Sequence, residues 1–339
     1  MISHYQELAA DLVKISKYLE SVSADHPSRV QRQFAYVASI STLYATFENF
    51  IERTAFRFAQ IMLSSPDELD ADELAKLKKR YVTNSSALLS QSLGTGRYQN
   101  MTELDVAQSL ASCLDDSNSF DLRAEIVSLH NSNLRLDSLT ALFSWAVKDL
   151  RGSIGKADAV RKWLGLAERP DGAAIDTVES ELRLLVERRN EIAHRGIPDE
   201  ILAPERVIDF VKYVEVVCLG LIACLGGRIL EASKRRGDSV TLGLPSEFFQ
   251  NDRVVVIASV NAAVAIGDVV WASDSNRTRW GTVRGIQLQG DSVARASEGS
   301  EVGISLDFVM PKNTDLHRWD SPTEDLIPAP SAIFGDRGS

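Results

Sequence analysis

Arg189, Asn190 and His194 place a guanidinium, an amide and an imidazole in one short run, a set suited to moving protons and offsetting charge at a phosphate. Val178, Leu182, Leu185 and Ile192 step by four, three and seven, which marks the buried stripe of a helix. An apolar residue is expected at position 189 of that stripe, and arginine stands there. A charge on such a stripe is costly unless it is paired or faces a wet cleft. One reading is a buried ion pair, to Glu48 or another helical carboxylate; the other is a site for an anion. Asn190 and His194 are four apart and share a face, whereas Arg189 and His194 are five apart, about 140° around a helix. Arg189 and His194 therefore flank a groove, and a second copy of the helix alongside would converge two sets on one cleft. His194 falls in the last turn, where the helix dipole favours a protonated imidazole. Arginine grips phosphate bidentately and offsets charge in a phosphorane-like transition state. The set predicts metal-free cleavage of RNA: the histidine moves protons as the 2′-OH attacks the adjacent phosphate, a route closed to DNA.

The helix that positions these groups is predicted to start at a capping box of Asp176 and Glu179 and to stop at Gly196 and Pro198. Val37, Ile40, Tyr44, Phe47 and Ile51 form a stripe on an earlier helix, which no proline interrupts between residues 30 and 64. Leu134, Leu139, Leu142, Phe143 and Val147 mark another helix, and Val207, Val211, Val214 and Cys218 begin a fourth. Residues 64–120 are more polar and read as an insertion with short helices at Asp67–Tyr81 and Glu103–Cys113. After Gly237 the pattern shortens to β-rich runs such as Val254–Ile257, Asp268–Trp271, Trp280–Val283 and Val302–Leu306. Their turn-rich spacers include Asp274-Ser275-Asn276. The expected fold class is α plus β: a helical bundle over residues 1–236, a small β-barrel over 237–320, and a poorly ordered tail over 321–339.

A net charge of -10 on 339 residues argues against a general cationic coat for nucleic acid, although a local basic site is compatible with it. Cys113, Cys218 and Cys224 lack metal or disulfide spacing, and His4, His26, His130 and His317 read as isolated, so no metal and no cofactor is expected. The longest apolar run, Val216–Gly227, has 12 residues against the roughly 20 that cross a bilayer. With no signal peptide at the start, a cytoplasmic protein without membrane association is expected. Lys76-Leu77-Lys78-Lys79-Arg80 reads as a solvated helix face, and Gly226-Gly227 as a place of close helix packing.

The run Arg189-Asn190-Glu191-Ile192-Ala193-His194 resembles the RxxxxH signature, in its RN-x-x-AH form, of the HEPN superfamily. Two further segments are similar to its RiboL-PSP-HEPN branch: Leu43–Ile51, with an aromatic and acidic pattern, and Ser132-Asn133-Leu134-Arg135 before a middle helix. Over roughly residues 25–232 the resemblance implies a bundle that dimerises, with Arg189 and His194 of both copies forming a metal-independent endoribonuclease site. It implies Asn190 as the polar neighbour of the arginine and Glu48 as a support for Arg189. The long polar insertion departs from the shortest members. Its implied setting is bacterial defence or a toxin-like stress response. The implied partners are an RNA substrate, with tRNA one candidate, a second copy of the chain, and a regulatory protein.

Gly281–Gln289 and Asp291–Ile304 resemble the second, β-barrel domain of translational GTPases such as elongation factor Tu, but no GxxxxGK[ST] run precedes them. The resemblance implies a docking module, in which Arg277, Arg279 and Arg284 with Trp280 would hold a nucleic-acid end. The bland alternative is a solvated barrel face. A reading from another class makes the helical part a silent dimerising scaffold whose barrel binds an RNA or protein partner.

Overall fold

The computed structural model describes residues 1–64, 69–115, 121–130, 133–165, 173–274 and 278–322. Its helices in chain order are α1 (Ile2–Ala24), α2 (Arg29–Leu63), α3 (Ala71–Leu89), α4 (Glu103–Leu114), α5 (Ala124–Val127), α6 (Leu136–Phe143), α7 (Leu150–Lys156), α8 (Asp158–Trp163), α9 (Ala173–Arg195) and α10 (Pro204–Arg235). Antiparallel strands follow from Ser239, which makes the chain an α-plus-β protein. Two compact units are formed, one from Ser3–Arg151 with Ile175–Cys218 and one from Gly152–Ala174 with Leu219–Ser339. The change from helix to strand thus comes after α10, while the units part within it.

In the first unit, α2 runs for 35 residues from a capping box in which Ser28 Oγ accepts from the Gln31 N–H at 3.3 Å and Gln31 Oε1 accepts from the Ser28 N–H at 2.8 Å. Its apolar stripe, with Leu43, Phe47, Ile51 and Phe58 each at 0% exposure, forms the core. Each such side chain contributes about 1.5–3 kcal/mol on burial, which outweighs the modest helix propensity of a sequence rich in aromatic and β-branched residues. Phe58 packs edge-on against Phe143 of the α6 end, with ring centroids 6.1 Å apart. Val178, Leu182, Leu185 and Ile192 of α9 are buried as their spacing requires, and the Tyr213 hydroxyl of α10 donates to the Val178 carbonyl at 2.6 Å. Asp176 lies in the first turn of α9 and not at its cap, since the helix starts at Ala173, and Glu179 pairs with Arg151.

The polar insertion is a folded part of this unit. Asn84 of α3 donates to the Ile126 carbonyl at 2.6 Å, and Arg80 donates to the carbonyls of Leu129 at 3.0 Å and Ala141 at 3.1 Å. Arg80 is therefore no solvated member of a basic face: it holds the segment after α5 in place, and burial lowers its pKa. The helix predicted over Asp67–Tyr81 begins later, at Ala71, where Asp70 caps it by accepting from the Asp72 N–H at 3.0 Å, and continues to Leu89. Asp67 lies outside the described residues.

In the second unit the strands are β1 (Ser239–Gly243), β2 (Glu247–Phe249), β3 (Val254–Ile257), β4 (Val264–Ala265), β5 (Val269–Ser273), β6 (Thr278–Leu288), β7 (Asp291–Val293), β8 (Arg295–Ala296), β9 (Val302–Leu306) and β10 (Leu316–Trp319). The ladder runs β1-β10-β5-β6-β9-β3-β2, with β7 on β6 and a separate β4-β8 pair. Its two ends do not pair, so the expected closed barrel is instead an open sheet region. The 11-residue β6 explains the shape: its first half pairs with β5, its second half with β9, and the register shifts between Val283 and Gly285 where it turns from one to the other. The part of α10 from Leu219 onward packs closely in the same unit. A Cβ at Gly226 would lie 2.5 Å from the Trp280 ring, and one at Gly220 would lie 3.2 Å from Val160 of α8. Among the described residues no helix is long and apolar enough to cross a membrane.

Candidate active site

Arg189 and Asn190 project from the last third of α9 and meet two other elements. Arg189 Nη1 donates to Asn190 Oδ1 at 3.2 Å and to Asn133 Oδ1 at 3.3 Å, while Asn133 Nδ2 donates to Asn190 Oδ1 at 3.0 Å. The guanidinium carbon sits 5.0 Å from the centroid of the Tyr44 ring on α2, a cation–π contact. Tyr44 is fixed in turn, because its hydroxyl accepts from the buried Leu134 N–H at 2.9 Å. Burial pushes the Tyr44 phenol up to about 12, with the Glu48 charge adding to the rise and Arg189 opposing it, so the ring stays neutral.

The arginine that stands on an apolar stripe is thus half-buried, with neutral partners. Among the described residues it makes no ion pair, and the pairing with Glu48 is not formed. Glu48 faces His130 instead, at 3.7 Å. Arg188, its neighbour, is the one whose charge is matched, by Glu191 at 3.0 Å. Two amides and a ring hold the Arg189 guanidinium without neutralising it, which leaves its charge available to an anion.

His194 lies in the last turn of α9 and is exposed. The helix ends at Arg195: the next residue, Gly196, donates its N–H to the Ile192 carbonyl at 2.9 Å and takes a φ of 77°, which a side chain would disfavour. The chain beyond is tied to α2, with Gln33 Nε2 donating to the Pro198 carbonyl at 3.1 Å and Arg29 to that of Asp199 at 3.4 Å. Five residues place His194 about 7.5 Å further along the helix than Arg189 and on a different line around it.

His130, read as isolated, has carboxylate neighbours. Its Nε2 lies 2.9 Å from Glu52 Oε1, and one ligand atom from each of Glu48, Glu52 and His130 falls within 4.8 Å of the others. The sequence hides this because His130 is 78 residues from Glu52. The signal that was present is the spacing of Tyr44, Glu48 and Glu52 at i, i+4 and i+8, one line along a helix. Asn133 belongs to the Ser132–Arg135 run that resembles the family, with no role expected of it; Ser132 beside it lies outside the described residues.

Of the residues expected to hold a nucleic-acid end, Arg279 and Trp280 are buried. Trp280 is 1% and Arg279 8% exposed, and Arg279 pairs with Asp158 at 2.6 Å while donating to the Val309 carbonyl at 3.0 Å. Both serve packing: strand alternation sends these neighbours to opposite faces, and both faces are covered at this point of β6. Arg284 is exposed and pairs with Asp307 at 2.9 Å. Arg277 and the Ser275-Asn276 turn lie outside the described residues, as does the tail from residue 323.

A family model described as RiboL-PSP-HEPN matches residues 3–225, a span that contains Tyr44, Asn133, Arg189, Asn190 and His194. No curated protein matches the chain closely enough to serve as a relative.

Proposed function

Because the chain belongs to the RiboL-PSP-HEPN family, we propose that it is a metal-independent endoribonuclease in which Arg189 and His194 act on RNA. The observation that carries the reading is the unmatched guanidinium: Arg189 is oriented by Asn133, Asn190 and Tyr44, with no carboxylate among the described residues to quench it. Placed at the scissile phosphate, it offsets the charge that builds as the 2′-oxygen bonds to phosphorus and the bond to the 5′-oxygen breaks. Neutral His194 accepts the 2′-OH proton, and a protonated His194 returns one to the departing 5′-oxygen. Each chain carries one such histidine, so a two-fold dimer supplies base and acid together. Support for a dimer comes from Val30, Phe34 and Ile197, which are exposed on the two segments joined beside the end of α9. The setting implied is defence or a toxin-like response.

Purified protein incubated with total RNA and EDTA, beside Arg189→Ala and His194→Ala, tests the reading. Cleavage by the wild type is expected to leave 2′,3′-cyclic phosphate and 5′-OH ends, and each variant to lose on the order of 10²-fold or more in rate. Intact RNA at high protein concentration, both with EDTA and without it, would overturn it.

A further inference from the structure

We propose that Glu48, Glu52 and His130 form a site for a divalent transition-metal ion of the Mn²⁺ or Zn²⁺ class, and that the ion braces the segment that presents Asn133 to Arg189. The two carboxylates come from one face of α2, four residues apart, and the imidazole comes from the chain after α5. His130 Nε2 stands 2.9 Å from Glu52 Oε1 and 3.7 Å from Glu48 Oε1. An ion with ligands at about 2.1 Å needs donors roughly 3 to 3.5 Å apart, which small side-chain rotations reach from a set already within 4.8 Å. One imidazole with two carboxylates suits a borderline cation better than calcium or magnesium, which favour all-oxygen shells.

The site is also built. Asn84 and Arg80 grip the carbonyls of Ile126 and Leu129, so the backbone that leads into His130 is held from behind. The His130 side chain is 8% exposed, and those of Glu48 and Glu52 are 28% and 20% exposed, so an ion would be largely removed from bulk water while keeping an entry path. Arg97 pairs with Glu52. Its guanidinium takes up part of the negative charge that a metal would use, and so competes with the ion. Three residues past His130, Asn133 bonds Arg189, and the next residue, Leu134, bonds Tyr44. An ion that fixes His130 to α2 therefore anchors the chain three residues before Asn133, which orients the arginine.

The full chain, stripped with chelator and titrated calorimetrically with Mn²⁺ or Zn²⁺, is expected to bind one ion. His130→Gln and Glu48→Gln should each weaken it by at least about tenfold, as loss of a ligand does. Arg97→Ala should strengthen it several-fold by removing a nearby positive charge, a change that a purely structural ion-pair cluster would not produce. Hydrogen exchange of the Leu134 amide should slow on binding in the wild type and not in His130→Gln. Failure of both ions to bind, or binding left unchanged by both ligand substitutions, would overturn the site. An ion that binds without slowing Leu134 exchange would overturn the brace. RNA cleavage is not among these readouts, so the outcome stands apart from that of the nuclease assay.

Discussion

Arg188 and Arg189 are adjacent and alike in sequence, yet Glu191 quenches one and two amides cradle the other. The difference predicts that charge alone is not enough at position 189. Arg189→Lys keeps the charge but lacks the planar fork that reaches Asn133 and Asn190 together. Its cleavage rate should fall at least about tenfold, measured as kcat with RNA in excess. Tyr44→Phe keeps the ring under the guanidinium but removes the acceptor of the buried Leu134 N–H. An orphaned buried donor costs about 1–3 kcal/mol, so denaturant unfolding of this variant should show a loss of that size. Arg189 was legible as an anomaly because an arginine interrupts an apolar period. Its partners were not, since Tyr44 and Asn133 lie 145 and 56 residues away in the chain.

At the scale of the elements, the long α2, the heptad of α9 and the strand runs after Gly237 follow from periodicity and turn chemistry. What periodicity does not show is which strand edges meet, and so the sheet that looked like a closed barrel is open. Gly226 illustrates a contact decided by packing. An alanine gains about 1 kcal/mol in helix propensity, but its Cβ would enter the Trp280 ring at 2.5 Å. Overpacking of a buried ring costs about 1–3 kcal/mol, so Gly226→Ala should lower thermal stability.

β10 carries a second such case. His317 accepts from Lys234 at Nε2 (3.3 Å), donates from Nδ1 to Thr241 (3.0 Å), and lies against Trp271 with ring centroids 4.4 Å apart. Burial first, and then the Lys234 charge, lower its pKa from 6.5 to about 4. As pH falls, the unfolded chain takes up the proton before the native one does. Stability from this residue is whole above about pH 6.5, declines down to about pH 4, and levels off below. The difference amounts to about 3 kcal/mol. The wild type should therefore lose more stability between pH 7 and pH 4.5 than His317→Gln does, as read from denaturant midpoints at the two pH values.

For the whole molecule, the net charge of -10 makes general RNA adhesion weak, so the proposed nuclease would rely on the local charge of Arg189. If the exposed Val30, Phe34 and Ile197 pack between two copies, Phe34→Asp should convert a dimer to monomer in light scattering and abolish cleavage with the fold intact. A wild type that is monomeric across micromolar concentrations would end that reading.

The sequence by itself determined the helical and strand-rich parts, the stripe of α9 and the arginine that breaks it, because these depend on local period and side-chain type. Only the tertiary structure decided that Arg189 meets amides and a ring, that Glu48 turns to His130, and that Arg279 and Trp280 are both buried. Those outcomes depend on which distant segments share a volume, and no local pattern records that.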